Sequence, residues 1–421
     1  MKNLLKKMWV NKTLTLFLIF FIITFPTAIY QKSEFEKRAI LTSIGIDKID
    51  GKYEFSGLVV VEEAPMKISS NVKLVSSEGE NISEAVYKLS ITLGKEIGLA
   101  HCDSIVVGEG LDDENLADIL DYFIRTSNLT KNTNLISCPG SAKELLQVNT
   151  ENKDENGITF AKLVSTGSDY LAIVEMNIED FYARYFTKSP VAWMTRVMVE
   201  EEQLDSGSQE SGGGQSSFSS QGGSSQQGSS GGEQSQPPMK KIKCDGSFAM
   251  YKKGKKAFTL EGDEANVINL LNPYTQKGFL TIDNVYDEGE LKESIGLHVV
   301  KKNTGLKYYF KDGVASLDIN FKMYVELVEL HTATPSLKTI DVTRTHIGEN
   351  VKKAITDKMT ENLNKVIEKT KEKKVDILAI NDRLYKFQNK NYMKFVSPEE
   401  RENNYIENVV VNLHVDVQPK L

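Results

Sequence analysis

From Leu14 to Tyr30 the chain carries no charged side chain, and no other feature constrains its fold as much. The apolar members are Leu14, Leu16, Phe17, Leu18, Ile19, Phe20, Phe21, Ile22, Ile23 and Phe25. They would surround a helix rather than stripe one face, which suits lipid better than the edge of a soluble core. At about 1.5 Å per residue the run gives roughly 25 Å of helix, just short of the hydrocarbon thickness. Trp9, Val10 and Tyr30 can extend it into the interfaces, and Lys2, Lys6, Lys7 and Lys12 precede it. Cations on that side orient the N-terminus toward the cytoplasm. A cleaved signal peptide competes with a retained anchor. Cleavage wants small residues at two positions before the cut, and near the end of the run only Thr27 and Ala28 are small. The expectation is therefore a basic cytoplasmic tail at 1–13 and a transmembrane signal anchor at 14–30. The rest of the chain would lie outside the cytoplasm. With no cysteine nearby, lipid attachment does not arise.

The remaining chain is long enough for several folded units, since the whole has 421 residues. A formal net charge of -7 argues against nucleic acid as a partner, because phosphate binding needs a positive footprint. Cys102, Cys138 and Cys244 form neither a disulfide framework nor a metal-ligand spacing, although one bridge among them stays open.

Hydrophobic period and turn chemistry predict a mixed α/β (α+β) fold of three domains behind the anchor. The first, at 35–150, starts with a strand over 39–47, an Asp50-Gly51 hairpin turn and a returning strand over 53–63. A helix follows from Ser83 to Leu93, capped by Asn81 with Glu84 in capping-box position and stopped by Gly94. A buried strand at 104–108, a helix at 113–125, a strand at 132–137 and a helix at 141–148 complete it. The second domain comprises 151–202 and 239–285. It is predicted to have helical patterning over 171–186, an extended 197–200, a hairpin around Lys253-Gly254 and a helix at 263–271. It is interrupted by 203–238, a Ser, Gly and Gln stretch too poor in apolar residues to offset the entropy of ordering. That stretch reads as a disordered loop insertion or an interdomain linker. The third domain, 286–421, shows the clearest strand signal. Every odd position from Ala315 to Leu327 is apolar, so one face is buried and one wet. Strands at 295–300 and 306–310 should precede it, with turns at Thr304-Gly305 and Asp312-Gly313. An amphipathic helix over 346–371 and a closing strand over 407–417 follow.

Catalytic patterns are scarce. No P-loop, nucleophile elbow or H-E-x-x-H occurs. His101-Cys102-Asp103-Ser104 is the best cluster, but neighbours on a strand point to alternate faces and do not converge. His414 falls on the polar face of the last strand. Glu261, Asp263 and Glu264 suit the start of a helix better than a metal. No catalytic residue, metal or cofactor is therefore expected.

Several segments carry a resemblance. They are RAILTSIGIDK with Gly45 and Asp47, HCDSIVVGEGL with Gly108, and CPGSAKELL with Gly140. After the insert come the hairpin from Gly246 through Leu260 to Glu264, and VDIL with Asp376. In this order they resemble the spore germinant-receptor C-subunit family. The resemblance implies three α/β domains, no catalysis, and assembly with the A- and B-type integral membrane subunits. It also implies a place on the outer face of the spore inner membrane and a role in nutrient-triggered germination. Whether a small-molecule germinant touches this subunit does not follow. The chain departs from the family in lacking a lipobox cysteine. It has Leu378-Ala-Ile-Asn381 where a glycine-containing segment is usual, and Tyr392 and Phe395 where tryptophans are common. The competing classes are an anchored binding protein for a small ligand or the cell wall, and an anchored hydrolase.

Overall fold

The structure is a computed structural model. It describes residues 16–21, 37–61, 71–125, 129–151, 160, 163, 174–202, 239–244, 246–272, 277–287, 290–331, 347–402 and 407–420. Strand β1 (Arg38–Ile49) turns into β2 (Lys52–Val61), followed by β3 (Asn71–Gly79), helix α1 (Ile82–Leu93), β4 (Glu96–Gly98) and β5 (Ser104–Val107). Next come α2 (Leu116–Arg125), β6 (Asn134–Ser137), α3 (Ala142–Glu151), α4 (Ile178–Tyr185) and β7 (Val191–Arg196). The middle holds β8 (Met198–Glu202), β9 (Met239–Lys243), β10 (Phe248–Lys252), β11 (Lys255–Leu260) and α5 (Gly262–Leu271). The last part contains β12 (Gly278–Asp287), β13 (Glu290–Lys311), β14 (Val314–His331), α6 (Glu349–Lys373), α7 (Ile380–Phe387), α8 (Asn389–Phe395), α9 (Pro398–Glu402) and β15 (Val410–Pro419).

Local chemistry explains many of these boundaries. The turns Asp50-Gly51, Lys253-Gly254 and Asp312-Gly313 all hold positive φ at both residues (49 and 81°, 48 and 80°, 52 and 82°). This is the twist that two-residue hairpins need. Asn81 Oδ1 accepts from the Glu84 N–H at 2.9 Å, and Gly94 ends α1 with φ 62°. The reciprocal arm of the cap reaches one residue further than expected, because Glu84 accepts from the Glu80 N–H at 2.9 Å. Helix α2 starts at Leu116 rather than 113. A 3-10 turn occupies Glu109–Leu111, and Asn115 Oδ1 accepts from the Ala117 N–H at 3.1 Å.

Nine strands form one sheet, ordered β11-β10-β7-β6-β5-β1-β2-β3, with β4 also paired to β1. Strands from the first two expected domains thus share a sheet, joined by the parallel contact of β6 with β7 at Ile136–Thr195 and Ser137–Arg196. Its centre is covered on both sides. Ile105, Val107 and Leu135 face the large core with α1 and α2, while Val106 and Ile136 face Leu145 and Leu146 of α3 on the other side. Continuous apolar runs such as Ile105–Val107 are what two-sided burial requires.

The second sheet is β12-β13-β14-β15. Along β14 the odd positions from Ala315 to Val325 are buried, and Leu327 is partly so. Strand β13 corrects one expectation, for it runs without a turn through Thr304-Gly305. Gly305 pairs with Asn320 within a ladder that extends from Ser294–His331 to Lys311–Val314, so long-range pairing overrides the local turn preference. Strand β15 lies parallel to β14, and α6 to α9 supply the crossover that a parallel pair needs. Val351, Ile355, Met359, Leu363 and Val366 form the buried stripe of α6; the expected start at His346 lies outside the described residues.

Strands β8 and β9 form a small antiparallel pair whose last partners are Glu202 and Met239. Residues 203–238 therefore connect neighbouring strand ends, which makes the segment a loop insertion. Their own structure, and the expected disorder, lie outside the described residues. So do Leu14, Ile22, Ile23 and Phe25 of the expected anchor. Residues 16–21 are helical, with exposed side chains from Leu16 to Phe21. Among the described residues no helix is long and apolar enough to cross a membrane.

Candidate functional site

Several of the residues singled out by the sequence, Gly45, Asp47, Gly108, Gly140 and Asp376, lie at or near two buried carboxylates. At the first, Asp47 on β1 lies opposite Glu54 on β2, two acids in cross-strand register. The N-terminus of α3 meets them. Asp47 Oδ1 accepts from the Ala142 N–H at 2.8 Å. Its Oδ2 accepts from the Lys143 N–H at 3.0 Å and from Ser141 Oγ at 3.1 Å. The Lys143 ammonium pairs with Glu54. Orphan N–H groups and the positive end of the dipole at a helix start stabilise a carboxylate there. Burial nevertheless pushes the Asp47 carboxyl up, partly opposed by these bonds, while Glu54 repels it.

Glycine permits close packing at two points near this acid. A Cβ on Gly108 would stand 1.9 Å from Asp47 Oδ1 and 3.0 Å from the Gly140 carbonyl oxygen. One on Gly45 would stand 2.5 Å from Ser56 Oγ and 3.2 Å from the Ala142 carbonyl carbon. Both positions need close backbone approach, the use for which glycine has no substitute. Gly140 contributes its carbonyl to the Glu109 N–H at 3.0 Å, yet a Cβ there would meet nothing within 4 Å. The structure gives no reason for glycine at that position.

At the second, Asp376 lies just before α7 and is 1% exposed. Its Oδ1 accepts from the Ile380 N–H at 2.9 Å, and Oδ2 from the Asn381 N–H at 2.7 Å and from Ser189 Oγ. Ser189 Oγ in turn accepts from the Asp382 N–H at 3.0 Å. These bonds tie the segment before β7, in the nine-stranded sheet, to the helices beside the second sheet. Burial pushes the Asp376 carboxyl up, opposed first by the Ser189 bond and then by the two amides. Between Asp376 and the helix, Ala379 takes φ 54°, a left-handed conformation that costs an L-residue about 1–2 kcal/mol. The departure from glycine noted at Leu378–Asn381 falls on this strained turn. Tyr392 is fully buried with its hydroxyl 3.4 Å from Asn381 Oδ1, and Phe395 lies on Phe310 with ring centroids 5.5 Å apart.

Leu260 is buried at the end of β11, and Glu264 pairs with Lys369 of α6 at 2.5 Å. A third link joins the same regions: Lys302 on β13 donates to the carbonyls of Asn269 at 3.1 Å, of Leu270, and of Asn272 at 2.5 Å, closing the C-terminus of α5. Ser189, Asp382, Glu54 and Lys302 were not singled out by sequence. Asp376 was marked only by the family resemblance.

The remaining clusters do not assemble into chemistry. His101 is exposed while Cys102 and Ser104 are buried, and Asp103 accepts from Ser104 Oγ at 2.8 Å and Ser43 Oγ at 3.3 Å. Burial drives the Cys102 thiol up, away from the thiolate. None of the three cysteines is in a disulfide. His414 is exposed on β15, as expected for the polar face. Among the described residues no group of three or more His, Cys, Asp or Glu side chains could hold a metal. A cleft of about 500 Å³ opens between the start of α1 and the side of α2, lined by Tyr53, Asn81, Glu114, Asp118 and Tyr122 among others. Much of its polar lining is already engaged: Glu114 pairs with Lys48, Asp121 with Arg125, and Asn81 caps α1.

Comparison with known proteins places these segments in order. Residues 31–197 match the family model described as "Spore germination protein N-terminal domain". Residues 245–420 match "Spore germination B3/ GerAC like, C-terminal". The stretch between the two matches contains β8, the insertion and β9. A curated relative, Spore germination protein KC of Bacillus subtilis (strain 168), is 21% identical over 372 residues, covering 85% of this chain and 83% of the relative. A crystal structure of the GerBC protein is similar at 15% identity with a TM-score of 0.46, covering 89% of this chain and 96% of that one.

Proposed function

Because this chain belongs to the spore germinant-receptor C-subunit family, we propose that it acts as a non-catalytic, membrane-tethered subunit of such a receptor. It would be needed for nutrient-triggered germination through assembly with A- and B-type integral membrane subunits. The observation that carries the reading is the ordered pair of family matches over 31–197 and 245–420. The use made of the buried acids supports it. Asp47 and Asp376 are consumed in holding helices to sheets, which is a framework role rather than acid–base work.

The anchor at 14–30 would hold the folded part at the outer face of the spore inner membrane. A tether raises the effective concentration of the folded part toward partners in the same bilayer, to the millimolar range for a short link. The expected units at 35–150, at 151–202 with 239–285, and at 286–421, the first two of which share one sheet, would present the docking surfaces. Affinity capture of the full chain from spore membranes tests the reading. Co-recovery of the A- and B-type subunits is expected, and recovery of the chain without either would remove it.

The cleft beside α2 favours a second reading, a binding protein for a small ligand. Ligand-dependent shifts in the melting temperature of the chain, abolished by Asp118→Ala, would favour that reading over the first.

A further inference from the structure

Helices α7 and α8 bury one face and leave the other unpartnered. Ile380, Leu384 and Tyr392 point into the core. Exposed positions include Arg383, Lys386, Phe387, Lys390, Met393 and Lys394, recurring every three or four residues, with Asn389 and Phe395 beside them. The two helices adjoin at Gln388, whose φ of -128° interrupts the helix; its N–H reaches the Leu384 carbonyl at 2.8 Å and its carbonyl accepts from the Tyr392 N–H at 2.9 Å, which keeps the two exposed faces side by side.

The composition of this stripe is unusual for a solvated face. From Arg383 to Lys394 there are four cations and no acid, in a chain whose net charge is -7. Among the described residues Lys386 alone of the four pairs with a carboxylate, Asp382 at 2.7 Å. Large apolar side chains lie between the cations: Phe387 is 68% exposed, Met393 45% and the adjoining Phe395 38%. Arg383 lies 5.8 Å from the Phe387 ring centroid, and Lys394 lies 4.8 Å from that of Phe395. Asp382 directly precedes the stripe and is the acid that Lys386 pairs with; beyond Lys394 the next acids are Glu399 and Glu400, and Glu400 is tied to the Ser397 N–H at 2.8 Å.

We propose that this face of α7 and α8 docks on an anionic lipid surface. Charge complementarity selects the occupant: a bilayer rich in anionic headgroups offers many phosphates to four cations on flexible stems. Phe387 and Met393 sink to the headgroup boundary while the lysines reach outward. Each basic residue near such a surface strengthens docking about fivefold. The contact would fix how the folded part lies on the bilayer, which a single tether leaves free to swivel. The inference rests on the tether reading only in placing a bilayer beside the chain.

The test uses the full chain with Phe387→Trp as a reporter, read as the difference from the unsubstituted chain so that Trp9 and Trp193 cancel. Vesicles of phosphatidylglycerol with phosphatidylcholine, and of phosphatidylcholine alone, carry brominated acyl tails as quenchers. The expected result is a blue-shifted reporter, quenched only with phosphatidylglycerol and released by high salt. Lys390→Glu with Lys394→Glu should lower the docked-to-undocked ratio more than tenfold while leaving the circular dichroism unchanged. A water-exposed reporter in both vesicles, or equal quenching in both, overturns the proposal. So does a stripe that stays unquenched by lipid but binds an acidic protein partner. Flotation with phosphatidylcholine vesicles at high salt reads the anchor separately. A chain that fails to float yet shows phosphatidylglycerol-dependent quenching loses the tether and keeps the docking face; one that floats unquenched loses the docking face alone.

Discussion

The two buried aspartates do similar chemistry at different range. Asp376 caps a helix that begins four residues later, then reaches across to Ser189. Asp47 caps α3 from a strand almost a hundred residues earlier in the chain and needs glycine at 108 to fit. One is a local cap recruited as a junction between two regions. The other is a tertiary clasp that exists only once β1, β5 and α3 have met. The comparison teaches that a buried acid here marks a place where elements are joined, and that its cost depends on how many of its partners are already in place.

The clasp should break hardest. Gly108→Val forces Asp47 away from three donors and overpacks the site, so a loss of about 3 kcal/mol or more is expected in urea unfolding. A midpoint within error of the parent would dismiss the clasp. Next, Asp376→Ala leaves the Ser189 hydroxyl and two amides unsatisfied, a loss of about 2–3 kcal/mol. The junction is the sharper point. A double-mutant cycle between Asp376→Ala and Ser189→Ala should show coupling above about 0.5 kcal/mol, whereas Asp47→Ala and Ser189→Ala should add.

A smaller effect runs the other way. Ala379→Gly relieves a positive φ of 54° and should stabilise the chain by about 1 kcal/mol; destabilisation would mean the turn is not strained. The smallest effect is a pH trend. Burial raises the carboxyl of Asp376 above its unfolded value of 3.8, so between the two values the folded state binds more protons than the unfolded one. Stability from this group is therefore present at low pH and declines as pH rises through the raised value. Asp376→Asn does not titrate. Melting curves from neutral to about pH 4 should show the parent gaining on this variant as pH falls, and parallel curves would contradict the raised value.

Much of the architecture was legible because it is written locally. Positive-φ turns at Asp50-Gly51 and Asp312-Gly313, the Asn81 cap and the alternation in β14 all need only neighbours in sequence. Thr304-Gly305 misled for the converse reason: its fate is decided by Asn320 across the ladder. The shared nine-stranded sheet was hidden because the β6–β7 pairing joins residues some sixty positions apart. At the two carboxylates, Gly45, Asp47, Gly108 and Asp376 were marked by resemblance, but nothing in their spacing foretold that Gly108 lies against Asp47. Ser189 carried no signal, since its partner lies 187 residues away.

The pairing of Glu202 with Met239 has a consequence for how this protein can change. Because both ends of the segment are pinned side by side, its length is nearly decoupled from the rest of the molecule, and each doubling would add only about 0.6 kcal/mol of closure entropy. That hairpin tip is a tolerant port, where a reporter domain could be spliced in or the native stretch cut down to a tight turn without disturbing either sheet.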